Sequence, residues 1–197
     1  ILKLQGDINY DVDVISYSTA SRGLDKEEAY KKVSEAIKIL KNKDVLVYNK
    51  RIDSTLRGNI GTEINAMLDN LEDDRIAVVI PSYPDSGRIV VNKTMLVNGV
   101  LLENSDAGKD PKTPIKTSCV ESLIQKGIKY SSTYFTLSDI EQPIEEIVKK
   151  IQEAIKKSRV LVFDAVNNED IIKISKAIIH SDINIVTVDP GPFTLYY

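Results

Sequence analysis

The sequence contains very little cysteine, histidine or tryptophan: its 197 residues include one cysteine, one histidine and no tryptophan. The single cysteine, Cys119, excludes an intramolecular disulfide and a thiolate metal cluster, and it is typical of a reducing, cytoplasmic environment. The single histidine, His180, ends a predicted helix, where a cation complements the helix dipole, so we do not expect it in catalysis. No metal-ligand spacing occurs, and we predict no metal site in this chain.

Long apolar runs and an excess of positive charge are also missing. No run approaches the roughly 20 apolar residues that a membrane-spanning helix needs, and no signal peptide is visible. The net charge is −3, and the lysines stand among glutamates on the outer faces of predicted helices. We therefore expect neither a membrane nor a nucleic acid as a partner.

The common nucleotide-binding signatures are absent as well. Neither G-x-x-x-x-G-K-[ST] nor G-x-G-x-x-G occurs in the chain. If the protein uses a nucleotide, this chain carries no recognised fingerprint for it.

Short β-branched runs alternate with helical patterns, which is typical of βα units around a parallel sheet. Asp25 and Glu28 form a capping-box pattern that opens the first predicted helix. Between residues 89 and 102 the pattern changes, and Asn98-Gly99 is a strong hairpin signal. We predict one open, mostly parallel, doubly wound α/β sheet with a β-hairpin insertion, and its parallel strands lie at residues 12–17, 45–48, 76–80, 134–137, 160–163 and 185–188.

The polar segment of residues 50–61 is the strongest functional signal in the sequence. It reads KRIDSTLRGNIG and stands between a predicted strand and a predicted helix. Backbone N–H groups and the helix dipole favour an anion at such a position, and a glycine there lets the backbone approach a ligand closely. We therefore predict a site for a small, polar anion, and its candidate binding residues in this segment are Arg51, Ser54, Thr55, Arg57, Gly58 and Asn59.

Two other predicted strands end in similar residues. Ser21 and Arg22 follow the first predicted strand, and Gly87 and Arg88 follow the third. In a parallel sheet these loops lie along the same edge, so we expect Arg22, Arg57 and Arg88 to converge. Guanidinium groups bind carboxylate or phosphate through paired hydrogen bonds, although each arginine taken singly also fits a surface ion pair.

Asp53 has two interpretations that the sequence leaves open. Beside Ser54 and Thr55, its carboxylate fits an Asx-type turn or a helix cap. It also fits an acceptor for substrate hydroxyls or a proton acceptor, and we predict Asp53 as the candidate catalytic residue on that ground.

Several motifs of this chain match a known family in order. Residues 50–63 match its K-K-x-D-S-T-L-R-G-N-[IV]-G-x-E hallmark nearly throughout, with Arg51 replacing the second lysine. The other matches are T-x-S-R at residues 19–22, P-x-x-P-x-x-G-R at 81–88, D-P-x-x-P at 110–114 and a strand ending in D-A at 164–165. From about Thr19 to Ala165 the chain thus resembles the four-carbon acid sugar kinase family, long catalogued as a domain of unknown function.

The resemblance implies ATP-dependent phosphorylation of a hydroxyl on a small sugar acid such as threonate, erythronate or 3-oxo-tetronate. It implies ATP and Mg²⁺ as cofactors, with the nucleotide site mainly in a separate carboxyl-terminal domain. On this basis Arg57, together with Arg22 or Arg88, is expected to hold the substrate carboxylate. Asp53, Ser54 and Thr55 are expected to engage its hydroxyls or to shape the loop that does so.

Two departures from the family pattern limit these expectations. The D-D-x-T-G-A motif expected before Val12 is absent, so aspartates that compete with Asp53 for the role of base are missing. The chain also begins at Ile1 without a methionine, and no nucleotide-binding domain follows Pro192. We expect residues 1–197 to be the acid-sugar-binding amino-terminal domain, truncated at both ends and inactive as a kinase by itself.

Three other functions stay open at this point. The first is a non-catalytic acid-sugar-binding or regulatory domain, and the second is a different enzyme on the same scaffold. The third is an interaction protein whose polar loops are merely structural. The sequence also leaves open whether two copies pair as a homodimer.

Overall fold

The computed structural model describes residues 12–42 and 44–197, and these residues form two β-sheets flanked by helices. The strands are β1 (Tyr48–Arg51), β2 (Ile76–Val79), β3 (Arg88–Val91), β4 (Thr94–Val97), β5 (Val100–Leu101), β6 (Ser132–Phe135), β7 (Val160–Phe163) and β8 (Ile185–Asp189). The larger sheet has the strand order β1-β8-β2-β7-β6, and every neighbouring pair in it is parallel. The predicted mostly parallel α/β sheet is confirmed.

Helices cover both faces of this sheet. They are α1 (Lys26–Leu40), α2 (Ile60–Leu71), α3 (Val120–Gln125), α4 (Leu137–Ile140), α5 (Ile144–Ile155), α6 (Asn168–His180) and α7 (Pro192–Tyr196). Alternate residues of β2 point to opposite sides: Ala77 and Val79 pack with α1 and α2, whereas Ile76 and Val78 pack with α5 and α6. This double coverage explains why β2 is apolar at all four positions.

The predicted hairpin insertion is a three-stranded antiparallel sheet, β3-β4-β5. Asn98 and Gly99 connect β4 to β5 with φ angles of 50° and 78°, which is the left-handed turn that their sequence predicts. The small sheet is attached to the larger one because the Val90 N–H donates to the Ala165 carbonyl at 2.9 Å. The insertion therefore stands at the carboxyl end of β7.

Three of the predicted strands differ from the structure. The strand predicted at residues 134–137 lies instead at Ser132–Phe135 (β6), and Leu137 already begins α4. Residues 12–17 form no strand, because no strand among the described residues pairs with them, and Val14 is 81% exposed. β-Branched composition favours a strand only where a neighbour is available. The next strand begins at Tyr48 rather than at residue 45, so Lys50 and Arg51 belong to β1 and not to the loop after it. Residues 1–11, before the first predicted strand, lie outside the described residues.

The strand order also differs from the expected neighbourhood of the three polar loops. β8 lies between β1 and β2 and pairs with both, so the loops that follow β1 and β2 are separated by the end of β8. Arg22 follows an irregular segment, and Arg88 begins a strand of the small sheet. The topology alone therefore does not bring the three arginines together.

Gly61 is required where α2 meets the end of α3. A β-carbon at Gly61 would lie 2.6 Å from the Ile124 carbonyl oxygen and 2.9 Å from that of Lys126. Because both neighbours are backbone atoms, Gly61→Ala is expected to lower the free energy of unfolding by about 1–3 kcal/mol. Urea denaturation measures this, with Gly23→Ala as the control because no atom lies within 4 Å of a β-carbon there. Equal losses in the two variants would contradict the tight packing.

Candidate functional site

The loop between β1 and α2 is organised around the Asp53 carboxylate. Its Oδ2 accepts the Thr55 hydroxyl at 2.6 Å, the Thr55 N–H at 3.3 Å and the Arg57 N–H at 3.4 Å. This is the Asx-type turn that was one of the two interpretations of Asp53. Ser54 lies in the same turn and is half-buried.

Asp53 also fixes the direction of the Arg57 side chain. Arg57 Nε donates to Asp53 Oδ2 at 2.8 Å and Nη2 donates to Oδ1 at 2.9 Å, so the pair is bidentate. Burial of the Asp53 carboxyl acts to raise its pKa, but the hydrogen bonds from Arg57 and Thr55 outweigh it and lower the pKa to about 2. A carboxylate of such low basicity is poorly matched to proton abstraction near neutral pH. The geometry favours Asp53 as the group that orients Arg57, and its role as base stays a prediction.

Arg57 makes a third contact outside its own loop. Its Nη1 donates to Asp110 Oδ2 at 2.8 Å, and the other Asp110 oxygen accepts the N–H groups of Lys112 and Thr113 at 2.9 and 2.8 Å. The backbone N–H groups of Thr113 and Lys112, followed by Arg57, lower the Asp110 pKa to about 2. A guanidinium has five N–H bonds, and these contacts use three of those on Arg57. Two N–H bonds of Arg57 have no partner among the contacts of the described residues.

Arg22 reaches the same carboxylate from the segment before α1. Its Nη1 lies 3.2 Å from Asp53 Oδ1, and its side chain is 58% exposed. Gly58 has a φ of 101°, and a β-carbon there would lie 2.9 Å from Arg22 Cγ. Asn59 Nδ2 donates to the Leu24 carbonyl at 2.8 Å. Gly58 and Asn59 therefore hold the Arg22 segment against the loop, and Arg22 and Arg57 converge as the sequence predicts.

Arg88, the third arginine of the prediction, makes no described contact with Asp53, Arg22 or Arg57. Arg88 Nη1 donates to the Ser86 carbonyl in its own turn, next to Gly87. Arg51 Nη1 donates to the Pro190 carbonyl at the end of β8. In the described hydrogen bonds and ion pairs, neither Arg88 nor Arg51 contacts Asp53, so the shown convergence consists of two arginines.

A buried ion pair that the sequence did not reveal joins β1 to α2 next to the segment that carries Arg22. Glu63, in the first turn of α2, has its Oε2 2.6 Å from Lys50 Nζ and accepts the Ser21 hydroxyl through Oε1 at 2.5 Å. Side-chain exposure is 6% for Glu63 and 14% for Lys50. The sequence places Lys50 in a loop and therefore does not indicate this pairing, because it is as a residue of β1 that Lys50 meets the first turn of α2. Ser21 thus belongs to this buried ion-pair network rather than to the exposed surface.

Two buried aspartates lie at the carboxyl ends of β7 and β8, which are separated in the sheet by β2. Asp164 follows β7 and accepts the Tyr134 hydroxyl at 2.7 Å and the Lys93 N–H at 3.2 Å. Its burial raises its pKa, against the lowering effect of these hydrogen bonds. Asp189 ends β8 and accepts Asn49 Nδ2 at 2.9 Å and the Gly191 N–H at 2.7 Å. Both carboxyl groups have protein partners and organise the turns around them.

Acid is expected to weaken the Asp53 turn. Because folding lowers the Asp53 pKa from 3.8 to about 2, its stabilising contribution is complete above pH 4 and is lost as the pH falls through about 2. The shift corresponds to about 2 kcal/mol of unfolding free energy. Urea midpoints measured from pH 5 to pH 2 should fall more steeply for the wild type than for Asp53→Asn. Parallel curves would contradict the lowered pKa.

The described part of the chain has two negative findings. None of its helices is long and apolar enough to cross a membrane. In residues 12–42 and 44–197, no group of three or more His, Cys, Asp or Glu side chains is arranged to hold a metal ion.

Comparison with known proteins identifies close relatives over nearly the whole chain. A family model described as "Sugar-binding N-terminal domain" matches residues 1–197. A D-erythronate kinase of Heliobacterium modesticaldum is 40% identical over 92% of this chain and 42% of its own length. A D-threonate kinase of Salmonella typhimurium is 30% identical over 84% of this chain and 39% of its own length. The chain therefore spans about 40% of the length of these curated relatives.

A solved structure has the same fold. It is a DUF1537 domain from Bordetella bronchiseptica, described as a domain-swapped dimer with bound citrate, and it superposes with a TM-score of 0.73 at 27% sequence identity. The match covers 88% of this chain and 42% of that chain. The parallel sheet with its small antiparallel insertion is thus the fold of this family.

Proposed function

Because this chain belongs to the family of sugar-binding N-terminal domains, we propose that residues 1–197 form the acid-sugar-binding amino-terminal domain of an ATP-dependent kinase. The proposed substrate is a four-carbon sugar acid such as erythronate or threonate. The names of the two curated relatives support this substrate class. The bound citrate of the Bordetella bronchiseptica structure supports a site for a small carboxylic acid.

The observation that carries the proposal is the orientation of the Arg57 guanidinium and the N–H bonds that it still has available. Asp53 accepts two N–H bonds of its guanidinium and Asp110 accepts a third, so two N–H bonds remain for a ligand. Arg22 adds a second, more exposed positive charge beside it. A carboxylate matches the spacing of guanidinium N–H bonds better than a neutral hydroxyl does. In this proposal Arg57 binds the substrate carboxylate, Arg22 assists it, and Asp53 positions Arg57.

The remaining loop residues define where the rest of the substrate would lie. The Thr55 hydroxyl is used by Asp53, so Ser54 is the hydroxyl of this turn proposed to contact the sugar. Gly58 and Asn59 act by holding Arg22 in place. We do not assign Arg51, Gly87 and Arg88 to the substrate carboxylate, because both arginines donate to backbone carbonyls elsewhere.

ATP and Mg²⁺ enter the proposal only for the complete protein. In the described part of the chain no group of three or more His, Cys, Asp or Glu side chains is arranged to hold a metal ion, and we assign Mg²⁺ to no particular residue here. In phosphoryl transfer the metal ion neutralises charge on the phosphates, and the protein mainly positions the reactants. The proposed role of this chain is to hold the sugar acid so that its acceptor hydroxyl faces the nucleotide.

Two further features belong to the proposal. We propose a cytoplasmic location, in agreement with the single free cysteine, Cys119. We also propose that the complete protein forms a homodimer, because the Bordetella bronchiseptica relative is described as a domain-swapped dimer.

Calorimetric titration with D-erythronate, D-threonate and erythritol tests the proposed ligand class. Erythritol has the same carbon skeleton but no carboxylate, so we expect a sugar acid to bind at least about 30-fold more tightly. The complete protein should then convert ATP to ADP, in the presence of Mg²⁺, only when that acid is present. Equal binding of acid and polyol would contradict the carboxylate site, and binding without ADP release would favour a regulatory domain.

A further inference from the structure

We infer that Asp110 is an internal competitor for the substrate, because its carboxylate occupies Arg57 and must leave when a sugar acid binds there. This inference rests on the proposed function of Arg57 as the carboxylate anchor. It assigns to the loop between β5 and α3 a role in setting the affinity of that anchor. The contact involved is the 2.8 Å hydrogen bond from Arg57 Nη1 to Asp110 Oδ2.

The charge balance around Arg57 favours such an exchange. Without a ligand, the carboxylates of Asp53 and Asp110 are balanced by the guanidinium groups of Arg57 and Arg22. A third carboxylate would leave this half-buried group with an excess negative charge, and like charges repel more strongly there than in water. Protonation of Asp110 does not relieve the excess at neutral pH, since its pKa lies at about 2.

Asp110 is the carboxylate that can leave at the lower cost. Asp53 holds Arg57 through two hydrogen bonds and also binds Thr55, so its departure would dismantle the turn. Asp110 binds Arg57 through Oδ2 alone. Its Oδ1 binds Lys112 and Thr113 of its own loop, and those contacts travel with it.

The loop that carries Asp110 is closed at its base. The Ile115 N–H donates to the Ala107 carbonyl at 3.0 Å, and both side chains are buried. Asp110 lies between these two residues, in the tip of the loop. The Asp110 N–H also donates to the Ala107 carbonyl at a long 3.4 Å, so withdrawal of the tip from Arg57 breaks that bond while the Ile115–Ala107 base keeps its packing. Release of Nη1 gives Arg57 a third N–H for the incoming carboxylate.

Titration of Asp110→Asn with D-erythronate tests the inference. Asparagine keeps an oxygen for the N–H groups of Lys112 and Thr113 but removes the charge that competes for Arg57. We expect the dissociation constant to fall about fivefold or more relative to the wild type. Asp106→Asn is the matched control, because Asp106 is exposed on the same loop, changes the net charge equally and has no described contact with Arg57. It should change the constant less than about twofold.

The same experiment separates this inference from the proposed function. When Arg57 is already replaced by alanine, adding Asp110→Asn should leave the dissociation constant unchanged, because the guanidinium for which Asp110 and the substrate compete is gone. If Arg57→Ala itself leaves binding unchanged, the proposed anchor is wrong. If Arg57→Ala abolishes binding but Asp110→Asn binds no more tightly than Asp106→Asn, the anchor stands and competition by Asp110 is overturned.

Discussion

Replacement of Arg57 by alanine is expected to weaken D-erythronate binding by about 2–4 kcal/mol, or roughly 30- to 700-fold. Arg57 is oriented by a bidentate ion pair with Asp53, and its side chain is only 25% exposed. An anchor fixed in advance loses little conformational entropy on binding, so most of its hydrogen-bond energy contributes to affinity. Isothermal titration calorimetry of wild type and variant measures the difference directly.

Three further variants give this result its controls. Arg57→Lys keeps a positive charge but loses the paired N–H donors of the guanidinium, so we expect an intermediate loss of affinity. Arg22→Ala is expected to cost about 1 kcal/mol, because its side chain is mostly exposed to solvent. Arg88→Ala should bind as the wild type does, since its described contact is with Ser86 in its own turn. A larger loss for Arg88→Ala than for Arg57→Ala would contradict the assignment.

Replacement of Glu63 by alanine is expected to destabilise the protein by about 3–5 kcal/mol. The change removes the partner of Lys50 and the acceptor of the Ser21 hydroxyl, and it leaves a largely buried ammonium without its counter-charge. Chemical denaturation followed by circular dichroism measures the loss. The cause is the unpaired charge rather than the lost side-chain volume, and a second variant tests that distinction.

The double variant Lys50→Met with Glu63→Gln removes both charges and keeps an oxygen for Ser21. It should recover a large part of the stability that Glu63→Ala loses, because no buried charge is left unpaired. Glu121→Ala is the matched control for an ion pair with Lys93 at the surface, where both side chains are at least one-third exposed, and it should cost less than about 1 kcal/mol. If the double variant is no more stable than Glu63→Ala, the explanation by the unpaired charge is wrong.

The sequence predicted most of the fold because local patterns determine its elements. The Asn98-Gly99 turn, the Asp25 cap and the apolar strand at β2 are each specified by residues close together in the chain. The strand order is not local. β8 enters between β1 and β2 through pairing that joins residues far apart in the chain, such as Tyr48 with Val186. Periodicity carries no information about that pairing.

The candidate site was predicted only in part for the same reason. The meeting of Arg22 and Arg57 was predicted, but by an argument from adjacent strand ends that does not hold, since residues 12–17 form no strand. Their actual meeting point is Asp53. The contact between Arg57 and Asp110 joins residues 53 positions apart, and no pattern in either segment indicates it.

A crystal structure of the protein with D-erythronate bound tests the central claim most directly. The measurement is the distance from the carboxylate oxygens of the ligand to Nη1 and Nη2 of Arg57. We predict hydrogen bonds of about 2.7–3.0 Å to both nitrogens, with the bidentate pair to Asp53 intact and Asp110 withdrawn. A ligand carboxylate bound elsewhere, with Arg57 still held by both Asp53 and Asp110, would contradict the account.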